Sequence, residues 1–198
     1  MEFSYRHLAP KLSRAIGMIS KIRHYVNQNT LRTIYFGIFS SILTYGCQIW
    51  GQFVNNNINR IIKLQDKVIR IINFAYYNAS RNPLYNNSKI LKLCDNIKLI
   101  NFMYVHDSLK GNLPLALNNN FIFSHNLHNY NTRGSILNKI LLPRVRTKVY
   151  GLKSINYESS LVWNNLVSKF GDKTLHLKTK NYCKNLITQY LIQNYHLT

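Results

Sequence analysis

Apolar residues recur at three- and four-residue steps through the first third of the chain, the pattern of helices that bury one stripe. Leu12, Ile16, Ile19, Ile22 and Val26 share such a stripe, Lys11, Arg14 and Lys21 fall away from it, and Pro10 stands where a helix can begin. Asn29 and Thr30 are suited to N-cap a second helix, whose apolar face would carry Leu31, Ile34, Tyr35, Ile38 and Ile42. The third helix, over 57–73, is the clearest. Ile58, Ile61, Ile62, Gln65, Val68, Ile69 and Ile72 form its inward face, and Arg60, Lys63, Lys67 and Arg70 recur on an outward stripe. Gly46 and Gly51 flank Cys47, Ile49 and Trp50, so the connection between helices two and three is tight and aromatic.

A polar stretch containing Pro83 follows. Asp95 then caps a fourth helix with Ile97, Ile100, Met103 and Tyr104 on its apolar face, stopped by Lys110-Gly111-Asn112-Leu113-Pro114. Asn118-Asn119-Asn120 reads as a loop and a boundary. From Phe121 to Tyr157 the helical period is lost, and Ile140–Val145 with Val149–Ile155 fits a small hairpin. Helix returns over Ser160–Val167 and over 179–193, where Tyr182, Leu186, Tyr190 and Gln193 supply the pattern. No repeat recurs at a fixed period. The predicted fold is mainly α: a helical bundle followed by a smaller helical region with room for a short β-hairpin.

Charge adds a partner to this picture. Lys and Arg number 26 against 6 Asp and Glu, a formal +20 at pH 7 over 198 residues. Charged residues make up 16% of the chain, against roughly 25% in an average domain, so the imbalance comes mostly from missing acids. A codon bias toward Asn, Lys, Ile and Tyr would inflate lysine without removing Asp and Glu. Such a chain is drawn to polyanions, nucleic acid first and anionic membrane second. The uncharged stretch from Thr33 to Ile58 is long enough for a membrane span of about 20 residues. It carries Ser40, Ser41, Thr44, Gly46, Gln48, Gly51, Gln52 and an Asn run at 55–57, so a buried helix hairpin is the better reading and no membrane partner is expected.

The acid shortage also excludes chemistry. Glu2, Asp66, Asp95, Asp107, Glu158 and Asp172 are scattered, whereas two-metal transfer and paired-carboxylate hydrolysis need clustered acids. No catalytic residue and no cofactor are expected within the chain. Cys47, Cys94 and Cys183 form no C-x-x-C pair, and His24, His106, His125, His128 and His176 have no partner at ligand spacing, so no metal site is expected. Trp50 and Trp163 read as core anchors, and no G-x-S-x-G nucleophile signature is present. The cysteine usage and the lack of a secretory signal point to a reducing compartment, nuclear or cytoplasmic.

Two constellations fit nucleic acid. The row Arg60, Lys63, Lys67 and Arg70 can follow a phosphate backbone and release counterions, with binding that weakens steeply in salt. A merely solvated outer face has the same pattern. The second is His128-Asn129-Tyr130-Asn131-Thr132-Arg133 with Pro143-Arg144-Val145-Arg146-Thr147-Lys148. There, rings can stack on bases while Arg and Thr reach phosphate or sugar. A loop whose His and Tyr simply pack is the alternative.

Lys11-Leu12-Ser13-Arg14-Ala15-Ile16-Gly17-Met18-Ile19, followed by Lys21-Ile22-Arg23-His24-Tyr25, resembles the K-x-S-K-A-I-G-I-L-x-K-I-R run of reverse transcriptases from non-LTR, LINE-type (jockey-like) retrotransposons. Leu43-Thr44-Tyr45-Gly46-Cys47-Gln48-Ile49-Trp50-Gly51 and Leu64-Gln65-Asp66-Lys67-Val68-Ile69-Arg70-Ile71-Ile72 are similar to the family's L-x-Y-G-x-x-x-W-G and L-Q-x-K-x-x-R-x-I. His128-x-Tyr130-x-Thr132-Arg133, Pro143-Arg144-x-Arg146-Thr147 and Val162-Trp163-Asn164-x-Leu166 match further elements in order. Glu158-Ser159-Ser160 departs from the Gly-Pro that relatives usually carry before the last of these.

The resemblance implies the region that follows a polymerase palm, with His7 as the last residue of the block that closes it. The family's catalytic aspartates and their Mg2+ lie in that palm, upstream, so this region alone is expected to have no activity. It implies a thumb-like helical bundle over 1–75, a connecting helical region over 76–117 and a basic region over 118–198. The implied partners are RNA and RNA/DNA hybrid together with the palm and fingers. The implied contacts are Lys11, Arg14, Lys21, Arg60, Lys63, Lys67, Arg70, His128, Tyr130, Arg133, Arg144 and Arg146. A free-standing or degenerate helical nucleic-acid-binding protein is the alternative.

Overall fold

A computed structural model describes residues 2–51, 56–118, 120–126, 136–147, 150–171 and 175–196. The fold is mainly α-helical, as expected, with no strand among the described residues. It divides into two units, Met1–Ile97 with Gln189–Thr198, and Lys98–Thr188.

Unit 1 opens with α1, Glu2–Ile22, which buries Ala9, Leu12, Ala15, Ile16 and Ile19. The expected start at Pro10 is corrected: the helix runs through it. Proline removes one rung of the hydrogen-bond ladder, and the burial of Ala9 and Leu12 on either side of it favours the continued helix. The second helix, α2 (Gln28–Ile34), is capped by Asn27 rather than by Asn29 or Thr30. The Asn27 Oδ1 accepts from the Thr30 backbone N–H and from its hydroxyl, both at 2.9 Å.

A π-helical turn, Tyr35–Ser40, joins α2 to α3 (Ser41–Thr44). Its cause is legible in the buried residues Leu31, Tyr35, Phe39 and Leu43, which are spaced by four. On an α-helix each four-residue step advances about 400°, so the face would drift by about 40° per step. A wider turn absorbs the drift and keeps all four side chains inward. Ile38 and Ile42, expected inside, are left half-buried, and Phe39 and Leu43 take their places.

Gly46 turns the chain at φ 62° into α4, Cys47–Trp50. A Cβ on Gly51 would collide with the Cys47 carbonyl oxygen and the Ile97 Cδ1, so the chain closes here only around glycine. The next helix, α5 (Asn56–Ile72), buries Ile58, Ile61, Gln65, Val68, Ile69 and Ile72 as its period predicts, while Ile62, expected on the same face, is half-buried at its edge. The Arg23 guanidinium lies 5.0 Å over the Phe74 ring, and the Gln28 Nε2 donates to the Asn73 Oδ1 at 3.0 Å. The ends of α1 and α5 therefore meet, and α2–α3 runs back alongside this pair in an up-down-up bundle.

The polar stretch with Pro83 is itself a helix, α6 (Arg81–Ser88). Proline sits in its first turn, where no backbone N–H is needed. The next helix, α7 (Leu93–Leu109), starts before Asp95, so Asp95 lies in its first turn instead of capping it.

Polar residues tie these helices together. The Gln65 Nε2 donates to the Tyr35 hydroxyl and the Leu91 carbonyl, each at 3.0 Å, and its Oε1 accepts from the Leu93 N–H at 2.9 Å. The Tyr195 hydroxyl donates to the Asp95 carboxylate at 2.8 Å and accepts from the Lys92 N–H at 3.0 Å. Burial, and then the Asp95 charge, raise the Tyr195 pKa, which keeps that proton in place. Burial lowers the Lys92 pKa, with Asp95 opposing it.

Unit 2 contains most of α7, α8 (Leu115–Asn118), α9 (Ile155–Phe170) and the first part of α10 (Lys180–Gln193). Gly111, at φ 71°, follows the end of α7, as its sequence signals. Trp163 stacks on Phe102 with ring centroids 4.5 Å apart and donates its indole N–H to the Asn138 carbonyl at 3.3 Å. Both tryptophans are buried, as their reading as core anchors expects.

The expected hairpin is corrected. Ile140 pairs in a single antiparallel bridge with Phe123, while Ile155 opens α9 under a Ser154 cap whose hydroxyl accepts from the Tyr157 N–H. Asn164 takes the place of a neighbouring strand, bonding both the N–H and the carbonyl of Ile140 at 2.8 Å. On α10 the buried side chains are Cys183, Ile187 and Leu191 rather than Tyr182, Leu186 and Tyr190. That displacement is one residue, about 100° around the helix.

The cysteines give a direct check on burial. Cys94 is exposed, Cys47 and Cys183 are buried, and burial pushes the Cys47 thiol up to about 11. Ellman's reagent at mildly alkaline pH is expected to titrate Cys94 rapidly and the other two only on unfolding. Rapid reaction of all three would contradict the packing of both buried thiols.

Candidate nucleic-acid interface

The α5 row is the site that the fold presents most plainly. Arg60, Lys63 and Lys67 are exposed and lie within an arc of about 60°, opposite the buried Ile61–Gln65–Val68 face. Asp66, the acid nearest to them in sequence, does not offset them. It is buried, accepting from the Tyr85 hydroxyl at 2.9 Å and from Arg81 at 3.4 Å. Burial first, and then the Asp66 charge, raise the Tyr85 pKa, so the phenol keeps its proton and the carboxylate keeps its donor.

Arg70 is placed differently from the other three. It is half-buried, and its Nε donates to the Ala79 carbonyl at 3.3 Å, fastening the turn that follows α5. No sequence signal distinguishes it from Lys67, because its acceptor is supplied by the turn.

Lys11, Arg14 and Lys21 are exposed on α1, away from its buried stripe, and form a second basic helix face. Near its beginning α1 borders a cleft of about 570 Å³, where His7, Lys11 and Tyr45 surround a floor that includes Ile42, Ile49 and Trp50. Arg144 and Arg146 are exposed in the irregular segment after the Ile140 bridge. His128, Tyr130 and Arg133 lie outside the described residues.

Asp66, Asp95 and Asp107 each have a partner within their own unit. In unit 1, Asp66 and Asp95 each hold a tyrosine hydroxyl. In unit 2, Asp107 pairs with Lys180, and Glu158, on α9, has its pKa raised by burial with Lys153 opposing. The buried His106 places its Nε2 3.0 Å from the Lys178 carbonyl. Among the described residues no group of three His, Cys, Asp or Glu could hold a metal ion, and no helix is long and apolar enough to cross a membrane.

Fold and surface together define a mainly helical chain with cations on outward helix faces and with Asp66, Asp95 and Asp107 held by internal partners. Over 89 residues, 43% of its length, it is 35% identical to the probable RNA-directed DNA polymerase from transposon X-element of Drosophila melanogaster. That stretch is related to the reverse transcriptase of a transposon, and the match spans 10% of the fly protein. No family model matches the chain. No solved structure matches it either.

Proposed function

We propose that residues 1–75 form the thumb-like bundle of a LINE-type, jockey-like reverse transcriptase and grip an RNA/DNA primer–template through the outer face of α5. The observation that carries this reading is the row Arg60, Lys63 and Lys67, exposed on one side of α5 while the neighbouring Asp66 is turned inward to Tyr85. A phosphate backbone meets positive charge there with no carboxylate to repel it. The likeness to a transposon RNA-directed DNA polymerase supports reading that nucleic acid as an RNA/DNA hybrid. Lys11, Arg14 and Lys21 extend the basic surface along α1. Residues 76–117 connect this bundle to a basic region over 118–198 that carries Arg144 and Arg146. The palm and fingers, with the catalytic aspartates and their Mg2+, are the partners this reading gives to these residues.

The test is the salt dependence of binding to a blunt RNA/DNA hybrid. Arg60→Gln, Lys63→Gln and Lys67→Gln together should lower the slope of log K against log salt by about 2 to 3, one phosphate contact per cation. Arg70→Gln should lower stability through its lost bond to Ala79 and leave the slope nearly unchanged. A triple variant with the slope of the unaltered chain would remove this face from the interface.

A further inference from the structure

The bundle end where α1 and α5 finish carries a cluster of rings that the basic rows do not account for. Tyr25 is 87% exposed, Tyr76 85% and Tyr77 94%, and beside them Phe74 is 47% exposed. A tyrosine ring left in water forgoes most of the free energy that burial would provide. Single exposed apolar side chains are ordinary, but a group of rings at one end of a bundle marks a contact surface.

The backbone there is strained and firmly held. Phe74 has φ 52°, the left-handed conformation that usually falls to glycine after a helix. The Ala75 N–H donates to the Arg70 carbonyl at 3.0 Å, which closes the end of α5 around this residue. The Asn73 Nδ2 donates to the Ile69 carbonyl at 2.8 Å and to the Ser88 hydroxyl at 2.6 Å, and the Arg70 Nε holds Ala79. Strain that persists in such a network is a pointer to function. Here it presents the Phe74 ring at the surface, under the Arg23 guanidinium.

Charge selects the occupant. Lys21 is exposed close to Arg23 in sequence, and the acid nearest to this turn along the chain, Asp66, is buried against Tyr85. Rings beside cations suit bases and phosphates, since base–aromatic stacking tolerates any sequence and guanidinium adds to it. We infer that Tyr25, Phe74, Tyr76 and Tyr77, with Lys21 and Arg23, form a stacking platform for unpaired nucleotides that run off the end of a duplex. The inference rests on the proposed grip by α5 for its duplex and adds a distinct single-stranded site at one end of the bundle.

The test uses the full chain and two fluorescent ligands: a blunt RNA/DNA hybrid, and the same hybrid extended by a short single-stranded RNA overhang. The unaltered chain should bind the overhang ligand more tightly, by roughly tenfold for each stacked base. Tyr25→Ser, Tyr76→Ser and Tyr77→Ser together should abolish that gain while leaving affinity for the blunt hybrid and its salt slope unchanged. The corresponding Tyr→Phe changes keep the rings and should keep the gain. These side chains are almost wholly exposed, so the Ser variant is expected to fold, which far-UV circular dichroism and tryptophan fluorescence would verify. Equal binding of the two ligands by the unaltered chain, or a Ser variant that retains the gain, would overturn the platform. Loss of the overhang gain alongside an α5 variant with an unaltered salt slope would leave the platform standing and remove the grip instead.

Discussion

Gln65→Leu is expected to lower the stability of unit 1 by about 3 kcal/mol or more, although it puts an apolar side chain on an apolar face. Gln65 is the sole polar residue among the seven inward positions that the sequence assigns to α5. It serves three buried or half-buried groups: the Tyr35 hydroxyl, the Leu91 carbonyl and the Leu93 N–H. Leucine would leave each without this partner, at about 1–3 kcal/mol apiece. Burial raises the Tyr35 pKa, so the hydroxyl stays neutral and pays the full cost of the missing bond rather than ionising. Urea titration followed by Trp50 fluorescence in a Trp163→Phe background would measure the loss. Adding Tyr35→Phe should recover part of it, since removing both partners costs less than orphaning one. A change within about 0.5 kcal/mol would place Gln65 among ordinary surface substitutions and contradict the network.

Trp163→Ala should cost unit 2 about 3–5 kcal/mol, the range for emptying a large aromatic site. Trp163 is fully buried, stacks on Phe102, and bonds the Asn138 carbonyl from a residue in the left-handed conformation at φ 52°. The cavity would open beside Asn164, whose side chain holds the Ile140 segment. Thermal unfolding of Trp163→Ala and Trp163→Phe, read by far-UV circular dichroism, should rank the alanine variant well below the phenylalanine one. Equal midpoints would mean that the indole is not the anchor of this core.

What could be read beforehand depended on how one-sided each element is. Helix α5 has cations on one side and apolar residues with Gln65 on the other, so its limits, most of its buried face and the exposed Arg60, Lys63 and Lys67 follow from its period. In α7, Leu99, Asn101, Phe102, Met103, Val105 and His106 are all buried, and a helix buried nearly all round offers no single stripe to find. The π turn in the second helix shifted the apparent stripe from Phe39 and Leu43 to Ile38 and Ile42, because a period of 3.6 cannot follow residues spaced by four. In α10, tyrosines adjacent to the buried Cys183 and Leu191 outweighed them in a purely hydrophobic reading. Of the candidate interface, the α5 and α1 cations were legible. The role of Arg70 and the ring cluster at Phe74 were not, since they depend on which turn supplies an acceptor and on how the ends of two helices meet.

The Tyr195 hydroxyl, fixed between Asp95 and Lys92, has a consequence for biosynthesis. A ribosome releases the chain in order, and Gln189–Thr198 belongs to the same unit as Met1–Ile97. Residues 98–188 are contiguous and emerge complete while the earlier unit still lacks its final segment. Domains ordinarily finish folding in the direction of synthesis. Here the earlier of the two units is the later to be closed, and until then the Asp95 carboxylate and the Lys92 N–H wait for the tyrosine that joins them.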